Sequence, residues 1–200
     1  MSPRVWLAVT VITLTLAAST ALAAVAAWSP GPAAQTALAR GGVFIEVIGE
    51  PDNRHGVIRA AIDIAAPRER VWRVMTDCAR SGTLIHNSTC RIVSGNMLAG
   101  SDVREQVMAG NIIFPSMHNV VRTDYTPFSS MRFRRTAGDF QTLEGEWRLE
   151  PINNGAGTRV IYVNRLAVNL RIPASLMREG MRRDVPRMLQ NLRRESLSGR

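Results

Sequence analysis

From about Gly42 onward the chain is a succession of short β-type segments. Each is closed by a glycine, proline, asparagine or serine signal, and the chain ends in one long amphipathic segment. That order restricts the fold more than any composition does. Strands at hairpin spacing pair with their sequence neighbours as an antiparallel meander, and a terminal helix then has a sheet face on which to bury its apolar stripe. The clearest strand is "LEGEWRLEP". Leu143, Gly145, Trp147 and Leu149 alternate with Glu144, Glu146, Arg148 and Glu150, and Pro151 ends the run. Successive side chains of a strand point to opposite faces, so this one has a dry side and a wet side.

The same reading assigns a hairpin to residues 42–51 and 56–67, turning at "DNRHG". A helix opens at Pro67, with Val71, Trp72, Val74 and Met75 on its apolar face, and "ARSGTLIHN" forms a short helix or turn. Six further strands follow: "STCRIVSGNML", "SDVREQVMAG", "MHNVVRTDY", "MRFRRTAG", "QTLEGEWRLEPI" and "TRVIYVNRLAVNL". In the final segment Met177, Met181, Val185, Met188 and Leu192 recur at steps of three and four, the spacing of one helical face. Pro186 lies inside this helix and is expected to kink it, because proline removes a backbone donor and crowds the preceding turn. The architecture is α+β.

The N-terminus is a different kind of sequence. Residues 5–28 carry no charge after a short basic start at Arg4, and small-residue cleavage patterns occur at Ala21 to Ala23 and Ala37 to Ala39. Residues 1–27 read as a signal peptide or an uncleaved membrane anchor, and either exports the remainder. Residues 28–41 read as a linker, and 42–198 as one folded domain. All 25 basic residues are arginine, which excludes a Schiff-base lysine and a phosphate-loop lysine. The net charge of +9 suits anionic lipid at a membrane surface; an exported chain has no call on nucleic acid, and a monomer is expected. Cys78 and Cys90 are either one disulfide or two buried thiols. A bridge between them would close a loop of about a dozen residues, worth roughly 3 kcal/mol. No metal-ligand spacing, nucleotide loop or nucleophile motif is present, so no metal, cofactor or catalytic residue is assigned.

Three segments, "IDIAAPRERVWRVMTD", "GDFQTLEGEWRLEP" and "RRDVPRMLQNLRRE", resemble in order and separation the polyketide cyclase/dehydrase branch of the START-like, or helix-grip, superfamily, to which coenzyme-Q-binding proteins are related. The resemblance implies a curved antiparallel sheet around the C-terminal helix, with an apolar cavity between them. It does not imply one reaction, because the superfamily includes carriers, cyclases and sensors.

On this basis Met131, Phe133, Trp147, Met177, Met181, Val185 and Met188 are expected to line the cavity. Flexible thioethers suit a ligand of irregular shape. Glu105 shares strand parity with Val103 and Val107, so it either points inward, with Arg122 as partner and a ligand head group between them, or leaves that face to Arg104, Gln106 and Met108. Of the three histidines, His86 and His118 are the ones that could face the cavity as a general acid/base, while His55 lies solvated in a hairpin turn. Ile112, Ile113 and Phe114 give the loop between two strands an apolar tip, expected to form an entrance at a membrane surface. The expected function is an exported, periplasmic or membrane-tethered binding or transfer protein for a hydrophobic small molecule, with a cyclase/dehydrase-type enzyme as the alternative.

Overall fold

The computed structural model describes residues 28–50, 55–110, 115–168 and 173–198. The proposed signal or anchor (1–27), most of the first hairpin turn (51–54) and the apolar loop tip with Ile112, Ile113 and Phe114 lie outside these residues. Among the described residues no helix is long and apolar enough to cross a membrane.

The described residues open with helix α1 (Pro32–Ala39), followed by β1 (Val43–Gly49), β2 (His55–Ile64), α2 (Arg68–Thr76), a 3-10 turn (Cys78–Arg80) and the single-turn α3 (Ser81–Leu84). Strands β3 (Ser88–Asn96), β4 (Ser101–Met108), β5 (Met117–Thr126), β6 (Ser130–Gly138), β7 (Phe140–Ile152) and β8 (Gly157–Val168) lead to the long helix α4 (Ala174–Leu197). The strands form one antiparallel sheet in the order β1-β2-β8-β7-β6-β5-β4-β3. The meander from β3 to β8 is thus closed by the β1–β2 hairpin, which pairs β2 with β8. Register breaks at Ile92/Ser94, Val120/Val121 and Phe140/Thr142 insert extra residues, and such bulges bend and twist a sheet. With these bends the sheet curves round α4, the helix-grip arrangement.

Helix α4 packs chiefly on β1, β2, α2 and α3. Val185, Leu189 and Leu192 are its buried stripe, and the helix continues through Pro186. Asn191 Nδ2 donates to Leu84 O at 3.1 Å, tying α4 to α3. Cys78 and Cys90 are bonded, with Cα atoms 5.3 Å apart, which fixes the turn before α3 to β3.

The stretch read as a linker is a folded element. Pro32 sits at the start of α1, where its missing N–H costs nothing, and Ala34 and Leu38, one turn apart, are buried. Trp28 packs with Val57, Ile161 and Val163 on the convex face and stacks on Phe44 at 5.9 Å. Its carbonyl accepts from Arg148. Alanine-rich composition concealed an ordinary amphipathic spacing.

Candidate ligand-binding site

Directly opposed residues of an antiparallel pair share a face. Starting from buried Ile62 and Ile64 on β2, the registers carry the concave face across the sheet. It comprises Val160, Tyr162, Asn164 and Leu166 on β8, Leu143, Gly145, Trp147 and Leu149 on β7, Met131 and Phe133 on β6, Asn119, Val121, Thr123 and Tyr125 on β5, and Asp102, Arg104, Gln106 and Met108 on β4. The dry side of "LEGEWRLEP" therefore faces α4, and its glutamates face out.

One end of this face is closed. Val71, Trp72 and Val74 of α2 pack there against Ile62, Ile64, Leu149, Val160 and Tyr125. Thr158 Oγ1 donates to Ala66 O at 2.7 Å, fastening β8 beneath the α2 connection. A buried ion pair beneath the last turn of α2 continues this seal onto β4 and β5. Arg104 Nε donates to Asp102 Oδ1 at 2.9 Å, Arg104 Nη2 to the last-turn carbonyl of Thr76 at 3.1 Å, and Tyr125 Oη to Asp102 Oδ2 at 2.8 Å. Arg104 also lies over the Tyr125 ring, and Trp72 meets that ring edge-on. Burial and the neighbouring Asp102 carboxylate hold the Tyr125 hydroxyl protonated well above the ordinary phenol range.

The other end is different. Phe133, Leu143 and Trp147 lie on central strands and point inward, yet remain half-buried, as do Met108 on β4 and Met181 and Met188 on α4. An inward residue of a central strand is exposed only where the space before it is open, so sheet and helix part here around an apolar cleft. Trp147 and Tyr162 pack at 4.2 Å, and Phe133 stacks parallel to Tyr162 at 6.3 Å. Gly145 makes this possible: a Cβ there would meet Phe133 Cζ at 2.7 Å and Val163 O at 2.2 Å. Behind the rings, Asn164 Nδ2 donates to Tyr162 Oη at 2.8 Å, while buried Asn164 Oδ1 has no partner among the described residues. Burial raises the Tyr162 hydroxyl above the ordinary phenol range and keeps it a neutral donor. The cleft thus offers aromatic and thioether surface with one acceptor and one hydroxyl at its wall.

Phe133 and Trp147 stand half-buried at this open end, Met177, Met181 and Met188 are half-buried on α4, and Met131 and Val185 are buried in the core. Glu105 and Arg122 are a correction. Both lie on the convex face, because β4 turns Arg104, Gln106 and Met108 inward. Arg104 tolerates that position only because Asp102 and Thr76 satisfy it. Glu105 instead accepts from Arg91 and pairs with His118 Nε2 at 2.7 Å, and these contacts, His118 first, hold its carboxyl below the usual carboxylate range. Arg122 Nε donates to Asp124 Oδ1 at 2.9 Å. His86 is exposed, and His55 lies 3.2 Å from Thr142 Oγ1 at the end of β2. Sequence reading missed Asp102, Tyr125, Tyr162 and Asn164. Tyr162 and Asn164 share parity with Val160 and Leu166 in "TRVIYVNRLAVNL", which is the signal that finds them.

Residues 64–193 match the family described as polyketide cyclase / dehydrase and lipid transport, and the chain belongs to that family. No curated protein matches it in sequence. Among solved structures it is similar to the STAR-related lipid transfer protein of Xanthomonas axonopodis, with a TM-score of 0.67 at 14% identity over 78% of this chain and 93% of that one. Human STARD10 aligns with a TM-score of 0.66 at 10% identity, over 79% of this chain and 70% of that one. The Zhui aromatase/cyclase of Streptomyces sp. R1128 aligns with a TM-score of 0.56 at 15% identity, over 72% and 92%. At these identities the likeness is one of fold, and it is the START, helix-grip fold.

Proposed function

We propose that this protein is an exported carrier that binds a hydrophobic small molecule in the cleft between the sheet and α4. The observation that carries the reading is the half-burial of Phe133, Leu143 and Trp147 on inward positions of central strands, together with that of Met181 and Met188 on α4. Apolar surface left open to water inside a fold is a ready receptor, since each Å² of ligand covered there gains about 25 cal/mol. The family's association with lipid transport and the lipid transfer protein among the structural neighbours agree with it. The apolar, cleavable-looking N-terminus supports delivery across a membrane, to the periplasm or tethered beside it. Arg182, Arg183 and Arg187 on the exposed side of α4 would meet anionic headgroups there. Their attraction is moderated by ion pairs to Glu179 and Asp184.

A cyclase/dehydrase activity is the second reading, supported by the family and by the Zhui neighbour. Neutral Tyr162 in the cleft wall is the group that could donate a proton in it. The carrier reading is favoured because the Glu105–His118 pair lies on the opposite face.

Met181→Trp and Met188→Trp should each fill the cleft and abolish co-purifying lipid in native mass spectrometry, at an overpacking cost of about 1–3 kcal/mol. Unchanged lipid content in both variants would place the ligand elsewhere.

A further inference from the structure

We propose that Arg135 receives an anionic head group, so that the occupant of the cleft is an acidic amphiphile, oriented head-first toward the far end of β6. The proposal rests on the reading of the cleft as an apolar ligand site. Arg135 stands opposite buried Val121 and shares parity with Met131 and Phe133, which puts it on the concave face beside the aromatic wall. The bulge follows directly: Thr136 is the extra residue, and its Oγ1 donates to Val120 O at 3.1 Å. The inserted residue resets the strand after Arg135, so that Gly138 lies opposite Asn119.

The guanidinium is held but not neutralised. Its Nη2 donates to Gly138 O at 2.9 Å. Gly138 has φ of 110°, and a Cβ there would lie 2.3 Å from His118 O, so the turn that presents this carbonyl requires glycine. Arg135 Nε is buried and has no partner among the described residues, and Arg135 makes no ion pair among them. The contrast with its neighbours is direct. Arg104 has Asp102, Arg132 has Glu146, Arg159 has Asp63 and Arg165 has Glu50. The carboxylates nearest in sequence are engaged elsewhere: Asp139 accepts from the His118 backbone N–H at 2.6 Å, and Glu144 lies 3.5 Å from Arg165 on the convex face. A half-buried guanidinium with an orphaned donor and no counter-ion is stabilised by a carboxylate or phosphate oxygen supplied from outside, which its planar fork is shaped to accept. Phe133 and Leu143 then cover the first part of the ligand's chain, and Trp147 and Met188 the remainder.

The test measures binding of oleic acid, oleyl phosphate and methyl oleate to the full chain by calorimetry at neutral pH. The parent should bind the acid or the phosphate at least about tenfold more tightly than the ester. Arg135→Met should abolish that preference while still binding the ester, and Arg135→Lys should restore part of it as a point charge. Whichever of the two anions binds better identifies the head group. Equal binding of acid, phosphate and ester by the parent would overturn this proposal alone and needs no variant to fold. Failure of all three to bind would overturn the cleft reading itself. Competition by inorganic phosphate as effective as by oleyl phosphate would show a simple anion site and overturn the claim of an amphiphile.

Discussion

The two ends of the concave face are built on the same strands from the same kinds of residue, and they solve opposite problems. At the end under α2, every charged group has its complement: Asp102 binds Arg104 and Tyr125, Arg104 reaches Thr76 O, and Leu149, Val160 and Trp72 are sealed around them. At the other end, Phe133, Leu143 and Trp147 are half-open, and Asn164 Oδ1 and Arg135 Nε have no partner among the described residues. On the concave face of the sheet, incomplete apolar burial and incomplete hydrogen bonding occur together at this end. A fold that could close one end with α2 could close the other. The unsatisfied groups therefore describe what the site accepts, while the satisfied end supplies the rigidity that holds it.

The comparison is broken most severely by removing one partner of the closed-end pair. Asp102→Ala leaves the Arg104 guanidinium and the Tyr125 hydroxyl buried without their acceptor. A loss of about 3–5 kcal/mol is expected in urea unfolding, with the fold lost at the extreme. A loss below about 1 kcal/mol would mean that water reaches the pair and that this end is not closed.

Truncating one leucine at each end sharpens the contrast. Leu149→Ala, in the sealed region, should cost about 2–5 kcal/mol, because it leaves a cavity as well as losing transfer energy. Leu143→Ala, three same-face positions earlier on β7 and half-exposed, should cost about 1 kcal/mol in stability and weaken ligand retention instead. Equal stability losses with unchanged retention would show that the two ends are one core.

Most of this fold could be read from the chain, because alternation and helical spacing are local. Leu143, Trp147 and Leu149 face inward as their pattern requires, and the strands lie where their turn signals bound them. The site was less legible. In "SDVREQVM" both parities mix charge with apolar residues, so the strand itself does not choose; Asp102, Tyr125 and Thr76 O, distant in sequence, choose by satisfying Arg104. Arg135 follows Met131 and Phe133 at the same parity in "MRFRRTAG", yet an arginine after two apolar residues reads as a strand leaving its core. Only the register against Val121 shows that it stays on the concave face. Polar residues that serve a ligand violate the pattern that reveals the core, and local pattern alone misplaces them.

The smallest effect tests the two faces rather than the two ends. Glu105, with His118 and Arg91, is on the convex side, and its carboxyl lies below the usual carboxylate range because His118 and then Arg91 favour its charged form. A carboxylate lowered by folding contributes stability that is fully present above its unfolded pKa and is lost as pH falls through the lower folded value. The stability of Glu105→Gln should therefore lie slightly below that of the parent near neutrality and converge on it below the usual carboxylate range. The cluster is exposed to solvent, so added salt should shrink the difference further. Ligand retention should be the same in parent and variant at every pH where both are folded, because the sheet separates Glu105 from the cleft. A variant that keeps its stability but releases its ligand would mean that the convex cluster communicates with the cleft and that the two faces do not act independently.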